Sequence, residues 1–192
     1  MANKTEKTKM QIAKIIPIEG NKEHYNAHTG LVWCLDCRYK QAREALISHF
    51  GMDSEDLVSI AGGAMDLVRG TEEEKNYVLK NIKVAVALHN APRILLMVHT
   101  DCGAYKLHPS NGHVEDWKGI SWHDFLAPDL EKAYHVVREY LKTSGLEDKC
   151  RAFWASKNQP IDSIEIQTVI ADFDGIYSVV HPSYEQVEVS LN

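Results

Sequence analysis

The stretch Arg93-Ile94-Leu95-Leu96-Met97-Val98-His99-Thr100-Asp101-Cys102-Gly103 decides the fold of this chain. Its first six residues are almost all apolar. An unbroken apolar run of this length is typical of a strand that is buried on both faces in the middle of a parallel sheet. A histidine follows the run directly, and a cysteine comes three residues later. The stretch therefore predicts a central strand whose carboxyl end presents His99 and Cys102.

A second apolar segment ends in a similar way. Leu31-Val32-Trp33 predicts a short buried strand, and it leads directly into Cys34-Leu35-Asp36-Cys37-Arg38. In an open parallel sheet, ligands bind beyond the carboxyl ends of the strands, because those ends meet at one edge. We therefore expect the two motifs to lie at the same edge of the sheet.

Strands and helices alternate along the rest of the chain. Helical spacing predicts helices over 39–50, 71–90 and 121–143, with terminal signals at Gly51, Thr71 and Ser121. Pro128 offers an alternative start for the third helix. Residues 104–120 are predicted to be a loop, and further strands are predicted over 56–60, 164–170, 176–180 and 186–189. The Ala61-Gly62-Gly63 turn allows another backbone to approach closely.

This alternation predicts an α/β fold with a mainly parallel β-sheet flanked by helices and an antiparallel C-terminal edge. The 192 residues favour a single domain over 1–192, in which residues 1–29 form an N-terminal arm or short helix.

Composition and charge exclude several classes of protein. The chain carries a net charge of −6 without a block of Lys and Arg, which argues against a nucleic-acid partner. No run approaches ~18 apolar residues, and the N-terminal sequence MANKTEKTKMQIAKIIP lacks the apolar core of a signal peptide. We therefore expect a cytoplasmic protein without a membrane partner and with reduced thiols, whose substrate need not be polyanionic.

Cysteine and histidine clusters in a reducing compartment indicate metal or redox chemistry. Cys34, His99 and Cys102 would give Zn²⁺ two thiolates and one imidazole, leaving the fourth tetrahedral position open, as in catalytic zinc sites. Asp36 is placed to accept a hydrogen bond from a water in that position, or to bind the metal itself. Arg38 is placed to hold the Asp36 carboxylate by two parallel hydrogen bonds.

Cys37 leaves two alternatives open. With Cys34 it forms a C-x-x-C motif, which is also typical of a dithiol redox pair of thioredoxin type. With Cys34, His99 and Cys102 it would complete a closed structural zinc site. The redox pair would leave His99 and Cys102 unexplained, and the closed site would leave Asp36 without a role.

The order C-x-D-x-R followed by H-x-x-C resembles the signature of β-class carbonic anhydrases. The resemblance covers residues 30–105 well and residues 164–189 loosely, where Asp174-Gly175-Ile176-Tyr177 resembles the closing β-hairpin of that family. It implies that Cys34, His99 and Cys102 bind zinc and that Asp36 and Arg38 form a catalytic dyad. It also implies that zinc-bound hydroxide attacks carbon dioxide to give bicarbonate, in a homodimer or a higher homo-oligomer.

The chain departs from the pattern of that family at two places. Cys37 stands where the family usually has Ser, and Ser59-Ile60 stands where it usually has Arg-Asn. Some relatives with this metal core hydrolyse carbonyl sulfide or carbon disulfide. A hydrolase of that kind and a non-catalytic protein with a structural Cys/His zinc site are therefore the alternative functions. Candidate proton relays are His24, His28, His108 and His113.

Overall fold

The computed structural model describes residues 19, 23–108 and 120–179. Their strands form one five-stranded sheet in the order β2-β1-β3-β4-β5. The strands are β1 (Thr29–Cys34), β2 (Glu55–Ile60), β3 (Arg93–His99), β4 (Glu165–Ala171) and β5 (Ile176–Ser178). The first four are parallel, and β5 runs antiparallel to β4. The predicted fold class is therefore confirmed.

The central strand is β3, as its apolar run predicts. Residues 94–98 are almost completely buried, because β1 and β4 pair with β3 on its two sides. The parallel register places Val32 of β1 opposite Leu96 of β3. Two residues further along β1 lies Cys34, and three residues further along β3 lies His99. The register thus delivers both side chains to the same edge of the sheet.

Five helices and two short 3-10 turns connect the strands in the described residues. The helices are α1 (Lys40–His49), α2 (Glu72–His89), α3 (Gly103–Leu107), α4 (Trp122–Thr143) and α5 (Leu146–Ser156), and the 3-10 turns are Cys37–Tyr39 and Gly63–Leu67. Helix α2 packs on β1 and β2, and α4 packs on β3 and β4. Helix α5 contacts both α2 and α4, and Leu46 of α1 joins the core.

The predicted ends of α2 are confirmed. The Thr71 side chain accepts a hydrogen bond from the main-chain N–H of Glu74, whose carboxylate accepts one from the Thr71 main chain. This capping box satisfies two N–H groups that the first turn would otherwise leave free. Asn90 ends the helix in the left-handed conformation, before Pro92.

The predicted cap of α4 at Ser121 is confirmed, whereas the alternative start at Pro128 and part of the predicted loop are wrong. Helix α4 begins at Trp122, because Ser121 caps it, and Pro128 lies inside it. The proline is tolerated there because Leu126 and Leu130 on either side are fully buried, which offsets the lost hydrogen bond. Residues 104–107, the first part of the predicted loop, belong to α3, and α5 was not predicted. Its apolar face is a single row at four-residue spacing that includes Cys150.

Some predictions fall outside the described residues. They concern most of the arm over 1–29, residues 109–119 of the loop with His113, Val180, and the strand over 186–189. Of the helices that the structure describes, none is long and apolar enough to cross a membrane.

Candidate metal centre

The carboxyl ends of β1 and β3 bring Cys34, His99 and Cys102 together. One ligand atom from each residue lies within 4.8 Å of the others, and all three side chains are buried. Cys34 and His99 are the last residues of their strands, and Cys102 directly precedes α3. The group that the sequence singles out therefore forms one cluster that could hold a metal ion.

A main-chain carbonyl of the next residue, Thr100, orients the imidazole of His99 as a ligand. Its Nδ1 lies 2.7 Å from the carbonyl oxygen of Thr100, which can only accept, so Nδ1 carries the proton. The lone pair is therefore on Nε2, which is buried and forms no hydrogen bond of normal geometry with the described residues. A buried polar atom without a partner is unfavourable, and a bound cation would supply the missing partner.

The sulfur atoms of Cys34 and Cys102 lie close enough for each to shift the pKa of the other. The pKa of Cys34 is lowered because the Cys102 thiol donates a hydrogen bond to it, and the imidazole of His99 acts in the same direction. The pKa of Cys102 is raised by the same hydrogen bond and by burial. The main-chain N–H of Gly62 also donates to Sγ of Cys34, across 3.3 Å. A divalent cation would displace the thiol proton of Cys102, and two thiolates with one imidazole suit Zn²⁺.

The predicted close approach at Ala61-Gly62-Gly63 is confirmed. Gly62 and Gly63 have φ of 80° and 61°, which disfavours residues with a side chain. A Cβ at Gly63 would overlap the carbonyl oxygen of Met97 in β3 and would lie 3.3 Å from the main-chain nitrogen of Cys34. The glycines thus let the turn after β2 lie directly against the strand ends that carry the cluster.

Asp36 and Arg38 form the pair that their spacing predicts. Nε of Arg38 lies 3.0 Å from both carboxylate oxygens of Asp36, and Nη2 lies 2.6 Å from Oδ2. The Asp36 carboxylate also accepts a hydrogen bond from the main-chain N–H of Arg38, which caps the first 3-10 turn. The Arg38 guanidinium lowers the pKa of Asp36 to about 2, so this carboxylate is ionised at neutral pH.

The sequence did not single out Asp101, which completes this network. Nη1 of Arg38 donates to Oδ2 of Asp101 at 2.8 Å, and Nη2 donates to the Asp101 carbonyl oxygen at 3.2 Å. Lys106 of α3 forms an ion pair with the other carboxylate oxygen. The position of Asp101 between the two ligands of the second motif was the signal in the sequence.

The sequence also did not single out the residues that support His99. The Tyr39 ring packs 4.2 Å from the imidazole of His99, and the Tyr39 hydroxyl donates to the carbonyl oxygen of Thr100 at 2.9 Å. The Thr100 hydroxyl donates to Asp172, which follows β4, at 2.7 Å. These contacts connect the ends of β3 and β4 and fix the segment that follows His99.

Cys37 lies outside the cluster. It is exposed, whereas Cys34, Cys102 and Cys150 are buried, and it is not a member of the group of ligand atoms found among the described residues. This placement favours the three-residue set over the closed four-residue set. All four cysteines are free, and Cys150 packs instead against the carbonyl groups that end α2.

Two of the candidate proton relays lie far from this centre. His24 bonds the carbonyl oxygen of Leu88 near the end of α2, and His28 accepts from the main-chain N–H of Asp53 just before β2. Both positions are at the amino edge of the sheet, opposite the cluster. His108 directly follows α3.

An open cleft of about 360 Å³ leads to the cluster. Asp36, Cys37 and the two cluster cysteines line it, and the other side is formed by small residues of the turn after β2 and of α3, namely Ala61, Gly62, Gly103 and Ala104. The absence of large side chains on that side leaves room for a small molecule beside the cluster.

The matched sequence decides the family. Residues 25–122, just over half of the chain, match the model of the family described as "Putative carbonic anhydrase". The chain belongs to this family. The matched region of this carbonic anhydrase family includes both metal motifs, the Asp36–Arg38 pair and Asp101.

Two curated relatives are themselves uncharacterised. A protein from Rickettsia bellii (strain RML369-C) is 31% identical over 99 residues, which cover 48% of this chain and 60% of the relative. A protein from Rickettsia conorii (strain ATCC VR-613 / Malish 7) is 29% identical over 100 residues, which cover 49% of this chain and 54% of the relative. The chain thus spans little more than half the length of these relatives.

Solved structures of carbonic anhydrases are also similar to this chain. The β-carbonic anhydrase isoform I of Trichomonas vaginalis is 13% identical, with 86% of this chain and 88% of that chain covered and a TM-score of 0.49. The carbonic anhydrase of Streptococcus mutans is 18% identical, with 82% and 84% covered and a TM-score of 0.41. At these scores the overlap carries no weight of its own, so the family rests on the sequence match.

Proposed function

We propose that this member of the family is a zinc-dependent carbonic anhydrase that catalyses the reversible hydration of carbon dioxide to bicarbonate. Cys34, His99 and Cys102 are the proposed zinc ligands. The observation that carries the proposal is the buried cluster in which one ring nitrogen of His99 and the sulfur atoms of Cys34 and Cys102 lie within 4.8 Å of one another. Membership in the family supplies the reaction class.

Zinc held by three protein ligands supplies a Lewis acid that brings the pKa of a bound water towards neutrality, so that the water becomes a nucleophile. The residues around the cluster have complementary tasks. The ionised Asp36 can only accept hydrogen bonds, so it orients the O–H bond of a water in the cleft. Arg38 keeps that carboxylate ionised and fixes the direction of its lone pairs.

The cleft suits a small, linear and uncharged substrate. Its wall of Gly and Ala residues admits carbon dioxide beside the cluster, and no Lys or Arg among the described residues lines the cleft to attract a larger anion. The hydration adds one water to carbon dioxide and releases one proton with bicarbonate. His24 and His28 lie at the other edge of the sheet, so neither accepts that proton directly.

We also propose that the protein forms a homodimer or a higher homo-oligomer, as the resemblance to β-class carbonic anhydrases implies. Its four free cysteines suit a reducing compartment, so we propose a cytoplasmic location.

The proposal is tested by metal analysis together with assays of hydration. We expect one zinc for each chain, with two sulfur atoms in its coordination shell by X-ray absorption, and carbon dioxide hydration in a stopped-flow assay with a pH indicator. Cys102→Ser should lower hydration at least ~100-fold through loss of a ligand. Cys37→Ser, the same change at an exposed sulfur outside the cluster, is the matched control and should keep the zinc.

Several outcomes would contradict the proposal. Three sulfur atoms at zinc, with loss of the metal in Cys37→Ser, would indicate the closed structural site. Full activity of Cys102→Ser would exclude the ligand set. Hydrolysis of carbonyl sulfide or carbon disulfide without hydration of carbon dioxide would keep the metal centre but replace the substrate.

A further inference from the structure

The Arg38 guanidinium is held on two sides by carboxylates from two different motifs. Nε and Nη2 face Asp36, whereas Nη1 faces Oδ2 of Asp101 at 2.8 Å. The Asp101 main chain also takes part, since its carbonyl oxygen accepts from Nη2 at 3.2 Å. Arg38 therefore connects the motif that follows β1 to the motif that follows β3, 63 residues later.

Asp101 adopts a conformation that is unfavourable for most residues. Its φ is 56°, in the left-handed region, and it is one of three non-glycine residues with a positive φ in the described part of the chain. Asp and Asn tolerate this region better than other side chains, although Gly adopts it without strain. An Asp at this position thus retains a carboxylate at a conformational cost, which points to a use for the carboxylate.

Lys106 fixes the same carboxylate from behind. Its ammonium group pairs with Oδ1 of Asp101, which leaves Oδ2 for Arg38. Both cations together lower the pKa of Asp101, and Lys106 is the larger influence. Negative and positive side chains alternate in this network, in the order Asp36, Arg38, Asp101 and Lys106. Its net charge is zero, and each neighbouring pair is an ion pair.

Without Asp101, Asp36 would be the one remaining carboxylate among the described residues to hold the Arg38 guanidinium. Its side chain is 44% exposed, and an exposed Arg–carboxylate pair contributes little against the rotamer freedom of a long side chain. The ring of Phe173 lies 5.5 Å from the guanidinium, but this residue is itself exposed. A second carboxylate therefore restricts the guanidinium further to the orientation in which it faces Asp36.

We propose that Asp101, supported by Lys106, is a positioning residue that keeps Arg38 across the Asp36 carboxylate and so fixes the orientation of Asp36 beside the ligand cluster. Its effect on catalysis rests on the proposed function. Its effect on Arg38 does not, and the two can be measured separately. The role belongs to the side chain of Asp101 and not to its backbone conformation, which glycine would adopt equally well.

The test measures solvent exchange of the Arg38 Nε–H proton by NMR in the protein as purified. Asp101→Gly keeps the left-handed backbone and removes the carboxylate, and Asp101→Asn keeps an acceptor oxygen but removes the charge. We expect exchange about fivefold faster in Asp101→Gly, and an intermediate rate in Asp101→Asn. Loss of the Arg38 signal in Arg38→Lys identifies the resonance.

Glu165→Gln is the matched control. It removes a carboxylate that accepts from Nε of Arg93 at 2.7 Å, in a partly exposed pair at the amino edge of the sheet. It should speed exchange at Arg93 and leave Arg38 unchanged. An unchanged Arg38 rate in both Asp101 variants would overturn the proposal. So would equal acceleration at Arg38 and Arg93 in Asp101→Gly, because that result would mean general loosening of the fold.

The activity arm separates this proposal from the proposed function. If the parent hydrates carbon dioxide, Asp101→Gly should lower kcat about fivefold with KM unchanged, and Asp101→Asn should recover part of the loss. A raised KM with unchanged kcat would contradict a positioning role. A parent without hydration activity would defeat the proposed function, while the exchange rates would still decide the position of Arg38.

Discussion

The main-chain N–H of Gly62 donates a hydrogen bond to Sγ of Cys34 across 3.3 Å. This contact exists because the turn that follows β2 lies directly against the ends of β1 and β3. The next residue, Gly63, packs against the main chain of Met97 and Cys34. These two residues occupy the space that a Cβ of residue 63 would need. The metal cluster thus depends on backbone packing as well as on its three ligand side chains.

Gly63→Ala should therefore be strongly destabilising. The new Cβ would overlap the carbonyl oxygen of Met97, and φ of 61° adds strain. We expect the free energy of unfolding in urea to fall by ~3 kcal/mol or more. Gly103→Ala is the control, since a Cβ there meets nothing within 4 Å, and it should change stability by less than ~1 kcal/mol. Equal effects of the two changes would contradict the close approach.

Asp129→Asn should destabilise the fold through a buried ion pair. The Asp129 side chain is only 4% exposed and pairs with Arg69, which lies over the rings of Tyr105 and Phe125. Removing one charge leaves the other partly buried without its counterion, which costs ~3 kcal/mol in urea unfolding.

The same change at Asp148 is the control for that experiment. Its carboxylate is 84% exposed and lies 3.8 Å from Arg151, so Asp148→Asn should cost less than ~0.5 kcal/mol. A loss at Asp129 as small as the loss at Asp148 would show that the buried pair is not a major source of stability.

Glu74→Gln should reduce stability at neutral pH and have no effect in acid. Hydrogen bonds from the Thr71 main chain and hydroxyl lower the pKa of Glu74 below its usual value of 4.5, so the folded state favours the ionised form. The resulting stabilisation is complete above the pKa of the unfolded chain and is lost as the pH falls through the lower folded value.

Thermal unfolding between pH 7 and pH 3 measures this effect. The midpoint of Glu74→Gln should lie below that of the parent at pH 7 and converge with it towards pH 3. Glu73→Gln is the control, because Glu73 lies in the same first turn but is not part of the capping box with Thr71. The difference in midpoint between this variant and the parent should depend less on pH. Parallel curves for parent and Glu74→Gln would rule out the capping contribution.

One thiol should react rapidly with a disulfide reagent in the native protein. Cys37 is exposed, whereas Cys34, Cys102 and Cys150 are buried. We expect a fast phase that releases one equivalent of the reagent's thiolate for each chain. This fast phase should be absent from Cys37→Ser. Removal of a bound metal by a chelator should add reactivity at Cys34, whose pKa is lowered by its sulfur neighbour. Two fast thiols in the untreated native protein would contradict this arrangement.

Asp36→Asn should lower carbon dioxide hydration about 100-fold, because an amide does not accept hydrogen bonds on both terminal atoms. Asp53→Asn changes an exposed carboxylate at the opposite edge of the sheet and should leave hydration unchanged. Zinc content should stay constant in both variants. Unchanged hydration in Asp36→Asn would remove Asp36 from the mechanism.

The sequence predicted the frame of the site because short-range patterns encode it. The apolar run before His99 and the apolar segment before Cys34 each specify a buried strand, and parallel strands end at one edge. The same reasoning paired Asp36 with Arg38 at two-residue spacing. Helix α5 was not predicted, because its apolar row is narrow and includes Cys150. A cysteine in a sequence indicates a reactive or metal-binding side chain as readily as a buried core residue.

What the sequence by itself determined is therefore local: the type and order of the main elements, the ends of α2, and the two motifs that meet. Only the tertiary structure decided which groups complete the site. Two of its contacts join segments far apart in the chain, namely Arg38 with Asp101 and Gly63 with Met97. The tertiary structure also decided that Cys37 lies outside the cluster. The physical basis of all three features is strand register and side-chain direction, which no local pattern of residues encodes.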